Sequence, residues 1–555
     1  MTPPGSDHDD HHERAPAPVT GRTEVLVIGA GIVGIYQLYR AREAGFDVRL
    51  LEAGGGVGGV WYWNRYPQAR FDSESYTYGY IFSKELFTDW YWSEHFAGQP
   101  EVERYLNHVV DRFDLRKHIT LNSRVASAVY DDATHTWLIT ATSGAQYRAR
   151  YVVSATGGLS VPFFPDVPGR DTFRGISHHT GLWPHEPVDF EGKKVAIVGT
   201  GPSGVQMVQA VAGRAAHLTV YQRTPNWCTP LNNGPITAGE QQELRGSFDE
   251  VRETLLTAPS GFLHPPSGRT WDQDTREQRQ RHYERMWRSR GFSKLTANYT
   301  DITTNREANA DWCAFIAKQI RGIVRDPETA EKLVPKDHGY NGKRPPFESG
   351  YFEAFNRPDV DLVDLKATPM TRVTQNGIET AGKTHREFDI IVWATGFDFG
   401  VGALRRMGVR GRGGLNLEEH WADGPVDFLG FMAHGFPNFF FPGGPHGAGG
   451  GNYPRYASDQ VDIITDTISY LRDHGNATLE APQWAQDKWM AMIAEFAPLT
   501  GVSDKHSHYY GANIPGKPRK FLLNPGGRGK LHEMFGEVVA SGYEGFLTDK
   551  EDADA

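Results

Sequence analysis

The chain has 555 residues, of which 39% are hydrophobic, and its formal net charge at pH 7 is -10. A chain of this size can bury a substantial core and is expected to form about three or four domains. The dispersed basic residues and the negative charge argue against nucleic acid as a partner. No apolar run approaches the roughly 18 residues of a membrane span, and the N-terminus lacks a hydrophobic signal core, so we expect no membrane partner and a cytoplasmic location.

The N-terminal segment, residues 1–20, is polar and rich in proline, aspartate and histidine. Such a segment cannot bury enough apolar surface to order itself, so we expect a disordered tail. Its histidines, at His8, His11 and His12, lack an apolar pattern that would hold them in a ligand geometry. We therefore expect no metal site.

The first glycine-rich turn covers residues 29–34 and contains Gly29, Gly31 and Gly34. An apolar run at 25–28 precedes it and a helix-like stretch follows it to Ala44, a pattern that predicts strand, tight turn and helix. A second predicted strand, 46–51, ends at Glu52, where a carboxylate can accept the hydroxyls of an adenosine ribose. This unit suits a flavin or a nicotinamide dinucleotide.

The second glycine-rich turn covers residues 199–204 and contains Gly199, Gly201 and Gly204, between a predicted strand at 194–198 and a predicted helix at 205–213. After the next strand, Gln222 stands at the position corresponding to Glu52, and Arg223 and Thr224 follow it. A guanidinium and a hydroxyl suit a ribose phosphate, which an acid would repel. The sequence therefore predicts NADPH as the second cofactor.

Two complete units of this kind are a far stronger signal than one glycine motif alone. Flavin-dependent disulfide reductases also carry two dinucleotide-binding domains. This chain has only Cys228 and Cys313, with no CxxC pair, which argues against a dithiol redox centre and a disulfide framework.

Between the two units lies the pattern FxGxxxHxxxWP, formed by Phe173, Gly175, His179, Trp183 and Pro184. It resembles the fingerprint of type I Baeyer–Villiger monooxygenases, which are FAD- and NADPH-dependent flavoproteins. Related N-hydroxylating and flavin-containing monooxygenases share its first half but usually lack the terminal Trp-Pro. In the family this segment is a linker between domains, and it implies coupling of domain movement to cofactor state.

Further segments carry the resemblance over roughly residues 22–545. Residues 58–72 resemble the family's GGxWxxNRYPGxxxD segment, except that Gln68 replaces a glycine, which predicts a different backbone turn near Asp72. Residues 155–158 and 393–398 resemble the two ATG segments that return the chain between domains. Residues 511–517 resemble a loop beside the nicotinamide cofactor, where this chain has His508 in place of a frequent tryptophan.

The segments 342–345 and 351–357 resemble the region that carries the family's catalytic arginine, here Arg344. Arginine stays protonated, and its planar fork can hold both a flavin peroxide and a developing oxyanion. Asp72 is expected to accept a hydrogen bond from Arg344 and aim it, and both are expected to be catalytic. The resemblance implies these cofactor-binding residues: Gly29, Gly31, Gly34, Glu52, Gly59, Val60, Trp61, Asp72, Tyr78, Val125, Gly199, Thr200, Gly201, Ser203, Gly204, Gln206, Arg223, Thr224, Lys343, Arg344 and His508.

The motif order predicts an α/β fold with two Rossmann-like dinucleotide-binding domains, one for FAD and one for NADP, and an inserted helical subdomain. We expect the FAD domain at 21–160 and 386–555, the NADP domain at 161–226 and 340–385, and the helical subdomain at 227–339.

The expected activity is insertion of one oxygen atom from O2 beside a ketone carbonyl, giving an ester or lactone through NADPH-reduced FAD and a peroxyflavin. Six glycines in the loop 442–452 favour space for a bulky cyclic or polycyclic ketone. An N- or S-oxidising flavin monooxygenase and a non-catalytic FAD/NADPH redox sensor remain as alternatives. We expect a monomer or weak homo-oligomer.

Overall fold

The structure, a computed structural model, describes residues 19–549. Its larger sheet has eight strands and is centred on the apolar run that precedes the first glycine turn. In spatial order the strands are Val409–Arg410, Val125–Asp131, Thr136–Ala141, Gln146–Ser154, Val19–Ile28, Val48–Leu51 and Ile119–Thr120, and Phe439–Phe440 also pairs with Gln146–Ser154. Val19 and Thr20 therefore belong to a strand, which shortens the tail expected at 1–20, and residues 1–18 lie outside the described residues.

The first strand–turn–helix unit forms as predicted. Residues 25–28 pair in parallel with a strand on each side, and both faces of this strand are covered. Val25 and Val27 pack in one hydrophobic cluster and Leu26 and Ile28 in another, which explains an apolar run without alternation. The helix that follows, Ile32–Glu43, packs beside the long helix Tyr453–Asp473. Tyr36 donates to Asp462 at 2.8 Å, so the C-terminal part of the chain completes the domain that the N-terminal part begins.

The second sheet has five parallel strands. In spatial order they are Val360–Asp364, His217–Gln222, Lys194–Val198, Ile390–Trp393 and Ile176–His179. The glycine turn at 199–204 leads from the central strand into the helix Pro202–Val211. Ile390–Trp393 pairs on both sides within this sheet, so the expected boundary at 386 is wrong: the chain leaves the NADP domain only after Trp393. A small antiparallel sheet is attached to this domain and consists of Met370–Thr374, Gly377–Thr380 and Thr384–Glu387.

The segment 227–339 contains six α-helices. Its helices are Ala238–Gly246, Phe248–Thr257, Arg276–Arg288, Ser293–Thr296, Arg306–Ile323 and Pro327–Leu333. A two-residue strand at its start, Thr229–Pro230, pairs in parallel with Phe347–Glu348 just after its end. This pairing closes the insertion and brings its two ends together.

Most of the remaining helices pack in the two hydrophobic clusters of the larger sheet. They are Val60–Trp63, Ser75–Tyr78, Lys84–Asp89, Gln99–Arg112, Gly402–Arg406, Leu417–His420, Gln483–Phe496 and Gly527–Ala540. The short helix Tyr351–Ala354 packs instead in the core of the second domain, beside Pro202–Val211. Among residues 19–549, none of the helices combines the length and apolar character needed to cross a bilayer.

Candidate active site

The first glycine turn is built from close backbone approaches. Gly29 has φ of +102°, in the region that favours glycine, and a Cβ on Gly34 would lie 1.8 Å from the Gly29 carbonyl oxygen. A Cβ on Gly59 would lie 2.7 Å from the Cα of Gly31. The segment 58–72 is therefore packed directly on the turn. Glycines line this contact, so no side chain fills the space that a dinucleotide pyrophosphate needs.

Glu52 lies at the end of the next strand and is 4% exposed. Its two carboxylate oxygens accept hydrogen bonds from the backbone N–H of Ala30, at 2.7 Å, and of Gly54, at 2.6 Å. Burial raises the pKa of this carboxyl, and these hydrogen bonds oppose the rise. Each oxygen keeps a lone pair for a ribose hydroxyl, so the position fits the predicted role.

The second glycine turn repeats the geometry of the first. Gly199 has φ of +110°, and a Cβ on Gly204 would lie 2.0 Å from the Gly199 carbonyl oxygen. Thr200 donates to the carbonyl of Thr224 at 3.3 Å, which joins the turn to the segment expected to bind the ribose phosphate. Gln222 is buried and donates instead to the Lys332 carbonyl, so the acid of the first turn has no counterpart facing the site.

Two cations lie close together in this domain, with Arg223 directly after the strand His217–Gln222 and Lys343 after the helical insertion. Burial lowers the pKa of Lys343 most and the charge of Arg223 lowers it further, whereas Asp337 opposes them, and the resulting pKa is about 8. In the part of the chain that the structure describes, neither side chain has a carboxylate within ion-pairing distance. Two neighbouring cations without an ion-pair partner fit a phosphate group.

This depressed pKa predicts a pH dependence of cofactor binding. Lys343 is charged below pH 8 and loses its proton above it, so the affinity for NADPH should fall as pH rises through 8. We expect the KM for NADPH to increase between pH 7.5 and 9.5 in steady-state assays, with the KM for NADH nearly constant. Lys343→Arg should flatten the NADPH profile, and an unchanged slope in that variant would contradict the assignment.

Arg344 and Asp72 form an ion pair through Nη2 and Oδ2. Asp72 is 4% exposed, and burial raises the pKa of its carboxyl against the opposing charge of Arg344. Burial is the largest influence on the pKa of Arg344 and lowers it, but Asp72, Tyr509 and Tyr66 together raise it above its ordinary value, so the arginine stays protonated. The guanidinium lies 5.6 Å from the ring centre of Phe292, which comes from the helical insertion.

The ion pair leaves one donor of the arginine without a partner. Among residues 19–549, Nη1 of Arg344 and Oδ1 of Asp72 are buried and make no hydrogen bond. A buried guanidinium N–H without an acceptor is costly to fold, so its presence indicates a site that an acceptor from a ligand completes.

Tyr66 joins the two dinucleotide-binding units, a role that sequence reasoning missed. Its hydroxyl donates to Gln206 on the helix after the second turn at 2.8 Å, and Gln206 donates to the carbonyl of Arg70 at 3.1 Å. The charges of Asp72 and Arg344 both act on Tyr66, whose pKa burial raises to about 12. Tyr66 belongs to the Asn-Arg-Tyr-Pro segment, which the sequence analysis had singled out. Its contact with Gln206, 140 residues further along the chain, is visible only in the structure.

Gln68 adopts a backbone conformation that favours glycine. Its φ is +67°, in the left-handed region. The expected difference from the family's turn before Asp72 stays a prediction. A residue with a Cβ pays strain there. The side chain accepts only one long hydrogen bond, from Arg70 at 3.3 Å.

Gln68→Gly is therefore expected to stabilise the protein by about 0.5–1 kcal/mol, since relief of strain exceeds the entropy cost of glycine. The apparent midpoint of thermal unfolding should rise by about 1–2 °C. Gln68→Ala removes the same side chain but keeps a Cβ in the strained region. An equal rise in both variants would show that the side chain, and not the backbone, causes the effect.

Trp61 and Tyr78 lie in the core beside the first turn. Trp61 is 8% exposed, donates to the Tyr78 hydroxyl at 2.9 Å and packs edge-on against Phe71. Val60 begins the short helix Val60–Trp63 directly after Gly59. Val125 starts a strand just after Ser123, whose backbone N–H donates to the Glu52 carbonyl at 2.7 Å. These residues surround the first turn, with Trp61 and Tyr78 mainly supporting it.

The fingerprint residues lie at the edge of the second sheet. His179 is 1% exposed, accepts a hydrogen bond from the Gly181 N–H at 2.9 Å and packs on Phe397 of the second ATG segment. Burial lowers the pKa of His179 to about 4, so the ring is neutral. Phe173 packs under this sheet, a Cβ on Gly175 would lie 2.4 Å from the Asp389 carbonyl oxygen, and Trp183, followed by Pro184, stacks on Phe190.

The loop 511–517 docks on the same ATG segment. Lys517 forms an ion pair with Asp398 at 2.5 Å, and Asn513 donates to the Phe397 carbonyl at 2.9 Å. His508, at the base of this loop, packs edge-on against Phe399. Burial and the nearby charge of Arg344 lower the pKa of His508 to about 3, so it is a neutral group close to the arginine.

The fold and the site together fit a flavoprotein oxygenase that has two dinucleotide-binding domains. Between them lies an arginine, Arg344, that Asp72 holds in place. Within residues 19–549, no group of three or more His, Cys, Asp or Glu residues is placed to hold a metal ion. Residues 26–237 match the family profile described as pyridine nucleotide-disulphide oxidoreductase.

Similarity to proteins of known activity identifies the family within this class of flavoproteins. The chain is 37% identical over 529 residues to a Baeyer–Villiger monooxygenase of Pseudooceanicola batsensis, covering 95% of this chain and 96% of the other. It is 38% identical to the phenazine N-monooxygenase PhzNO1 of Lysobacter antibioticus, covering 94% and 96%. A solved structure of oxidised steroid monooxygenase bound to NADP is 40% identical, with a TM-score of 0.90 and coverage of 96% and 100%. The chain belongs to the Baeyer–Villiger monooxygenase family, whose members use FAD and NADPH.

Proposed function

We propose that this enzyme converts cyclic ketones into lactones, with Arg344 as the catalytic cation. The observation that carries the proposal is the placement of Arg344. Asp72 holds it, Tyr66 and Gln206 connect the two glycine turns beside it, and its Nη1 is buried without an acceptor in the described chain.

The contacts support the following roles for the side chains of the site. When bound, FAD supplies the redox chemistry, taking hydride from NADPH and activating O2. Arg344 stabilises the negative charge that develops on the reacting oxygens, since a fixed and desolvated cation acts most strongly there. Asp72 aims the guanidinium, whereas Arg223, Thr224 and Lys343 bind the ribose phosphate. His508 is neutral and adds no competing charge beside Arg344.

The glycine-rich loop supports a large substrate less well than the sequence suggested. A Cβ on Gly450 would meet no atom within 4 Å, but the other five glycines lie against neighbouring atoms at less than 3.0 Å: Gly443, Gly444, Gly447, Gly449 and Gly451. Most of these glycines therefore permit close packing and do not create space. The proposal of a polycyclic ketone now rests on the similarity to steroid monooxygenase.

Product analysis tests the proposed function. The FAD-loaded enzyme is incubated with NADPH, 18O2 and a panel of small, macrocyclic and polycyclic ketones. We expect lactones that carry one heavy oxygen atom, with the polycyclic ketones turned over most efficiently. NADPH consumption that yields only hydrogen peroxide with every ketone would overturn the proposal.

N-oxidation is the second candidate because the phenazine N-monooxygenase is equally similar over nearly its whole length. A phenazine or an aromatic amine replaces the ketone in the same assay. N-oxide formed in step with NADPH consumption, without product from any ketone, would favour this candidate.

A further inference from the structure

Arg344 stands at a point where the backbone has little support of its own. Pro345 and Pro346 follow it, and neither has an N–H to donate. The strand Phe347–Glu348 begins only after these prolines, where it pairs with Thr229–Pro230. The strand pairing therefore ends before it reaches Arg344.

The parallel register identifies the residue that lies opposite. Thr229 pairs with Phe347, so three positions upstream Asn226 faces Arg344. The side chain of Asn226 donates to the Arg344 carbonyl at 2.8 Å, and Asn226 is 6% exposed. The side-chain amide of Asn226 thus gives the Arg344 carbonyl a donor in place of a backbone N–H of the opposite segment.

Two further contacts fix the orientation of the Asn226 amide. Its Oδ1 accepts the backbone N–H of Trp227 at 2.9 Å, so Nδ2 must point at the Arg344 carbonyl. The Trp227 indole donates to the His338 carbonyl at 2.8 Å, and His338 lies 3.4 Å from the same Oδ1. Asn226 follows Arg223 by three residues. One short segment therefore carries both this amide and the arginine that is proposed to bind the ribose phosphate.

We propose that Asn226 is a positioning residue that fixes the backbone of Arg344 relative to the NADP-binding segment. The inference rests on the proposed function for its catalytic consequence only. Without the amide, the arginine backbone shifts relative to Asp72 and the turn. Reduced cofactor is then consumed with less product, while the contacts to the ribose phosphate persist.

Asn226→Asp is the most direct test because it keeps the acceptor for Trp227 and removes the donor to Arg344. Asn438→Asp is the matched control. Asn438 is 1% exposed, donates to the Ala477 carbonyl at 2.9 Å and accepts from the Leu479 N–H at 2.9 Å. Hydrogen exchange of the FAD-loaded variants is measured for peptides covering 228–232, because the Thr229 N–H donates to the Pro346 carbonyl at 3.3 Å. Lactone formed per NADPH is measured on the same samples.

We expect exchange at Thr229 to accelerate about tenfold in Asn226→Asp but not in Asn438→Asp. Lactone per NADPH should fall about tenfold, with the KM for NADPH within about threefold of the parent. If Asn226→Asp does not fold, Asn226→Ala, which adds no charge, takes its place. Unchanged exchange at Thr229, or equal acceleration there in the control, overturns the inference. Absence of lactone from the unsubstituted enzyme overturns the proposed function instead, and the exchange data still decide the role of Asn226.

Discussion

Replacing Arg344 by alanine is expected to reduce lactone formation by at least 10²–10³-fold, while the protein stays yellow and still oxidises NADPH. The FAD turn and Glu52 lie on other segments, so flavin binding should persist. The lost guanidinium is the only cation that forms an ion pair with Asp72 among the described residues. Arg70, whose charge also acts on Asp72, is held by Glu94 at 2.9 Å. Lactone yield, peroxide release and NADPH oxidation are measured on the same flavin-loaded sample.

Two further variants separate catalysis from stability. Arg344→Lys keeps the charge but loses the planar fork, so it should recover only a small part of the activity. Arg148→Ala removes another arginine paired with an aspartate, with 23% of its side chain exposed against 26% for Arg344, but in the outer part of the larger sheet. It should keep the parent's lactone yield. A normal yield from Arg344→Ala would remove this residue from the mechanism.

The two dinucleotide-binding units could be predicted because their signals are local. Gly29 and Gly199 both need positive φ, and Gly34 and Gly204 both need backbone contact, so the spacing of glycines alone encodes the turn. The apolar runs before them are short and buried on both faces. Each requirement acts within a few residues, where sequence reasoning is strongest.

Contacts between distant segments could not be predicted in the same way. The aromatic ring beside Arg344 comes from Phe292 in the insertion, and the amide on its carbonyl comes from Asn226 before it. Neither position has a distinctive pattern in sequence. The register between two short strands places Asn226, and packing of the insertion against Phe347 places Phe292. The boundary error at Ile390–Trp393 has the same origin, since pairing partners and not composition place that strand.

The presence or absence of glycine was a poor guide to local structure where it allowed two physical interpretations. In the loop 442–452 it suggested open space, but neighbouring side chains such as Tyr453 and Tyr456 occupy most of the volume beside it. At position 68 its absence suggested a changed turn, and Gln68 itself adopts a conformation that favours glycine. The type of residue alone therefore does not settle the local structure at either place.

Replacing Arg223 by alanine is expected to raise the KM for NADPH by about 10–100-fold and to leave the KM for NADH within about threefold. A charged hydrogen bond to phosphate is worth roughly 1.5–3 kcal/mol, and only NADPH carries the extra phosphate. Lys343 remains in place and should retain part of the preference. Steady-state kinetics with both cofactors give the selectivity ratio directly.

The control for this experiment is Arg214→Ala, which removes an exposed arginine of the same domain that pairs with Glu191 at 2.9 Å. It changes net charge by the same amount, so a general electrostatic effect on the approach of an anionic cofactor would appear in both variants. Loss of NADPH selectivity in Arg223→Ala alone would locate the phosphate contact at the second glycine turn. Equal changes in the KM for NADPH and NADH would instead show that Arg223 shapes the turn and does not bind the phosphate.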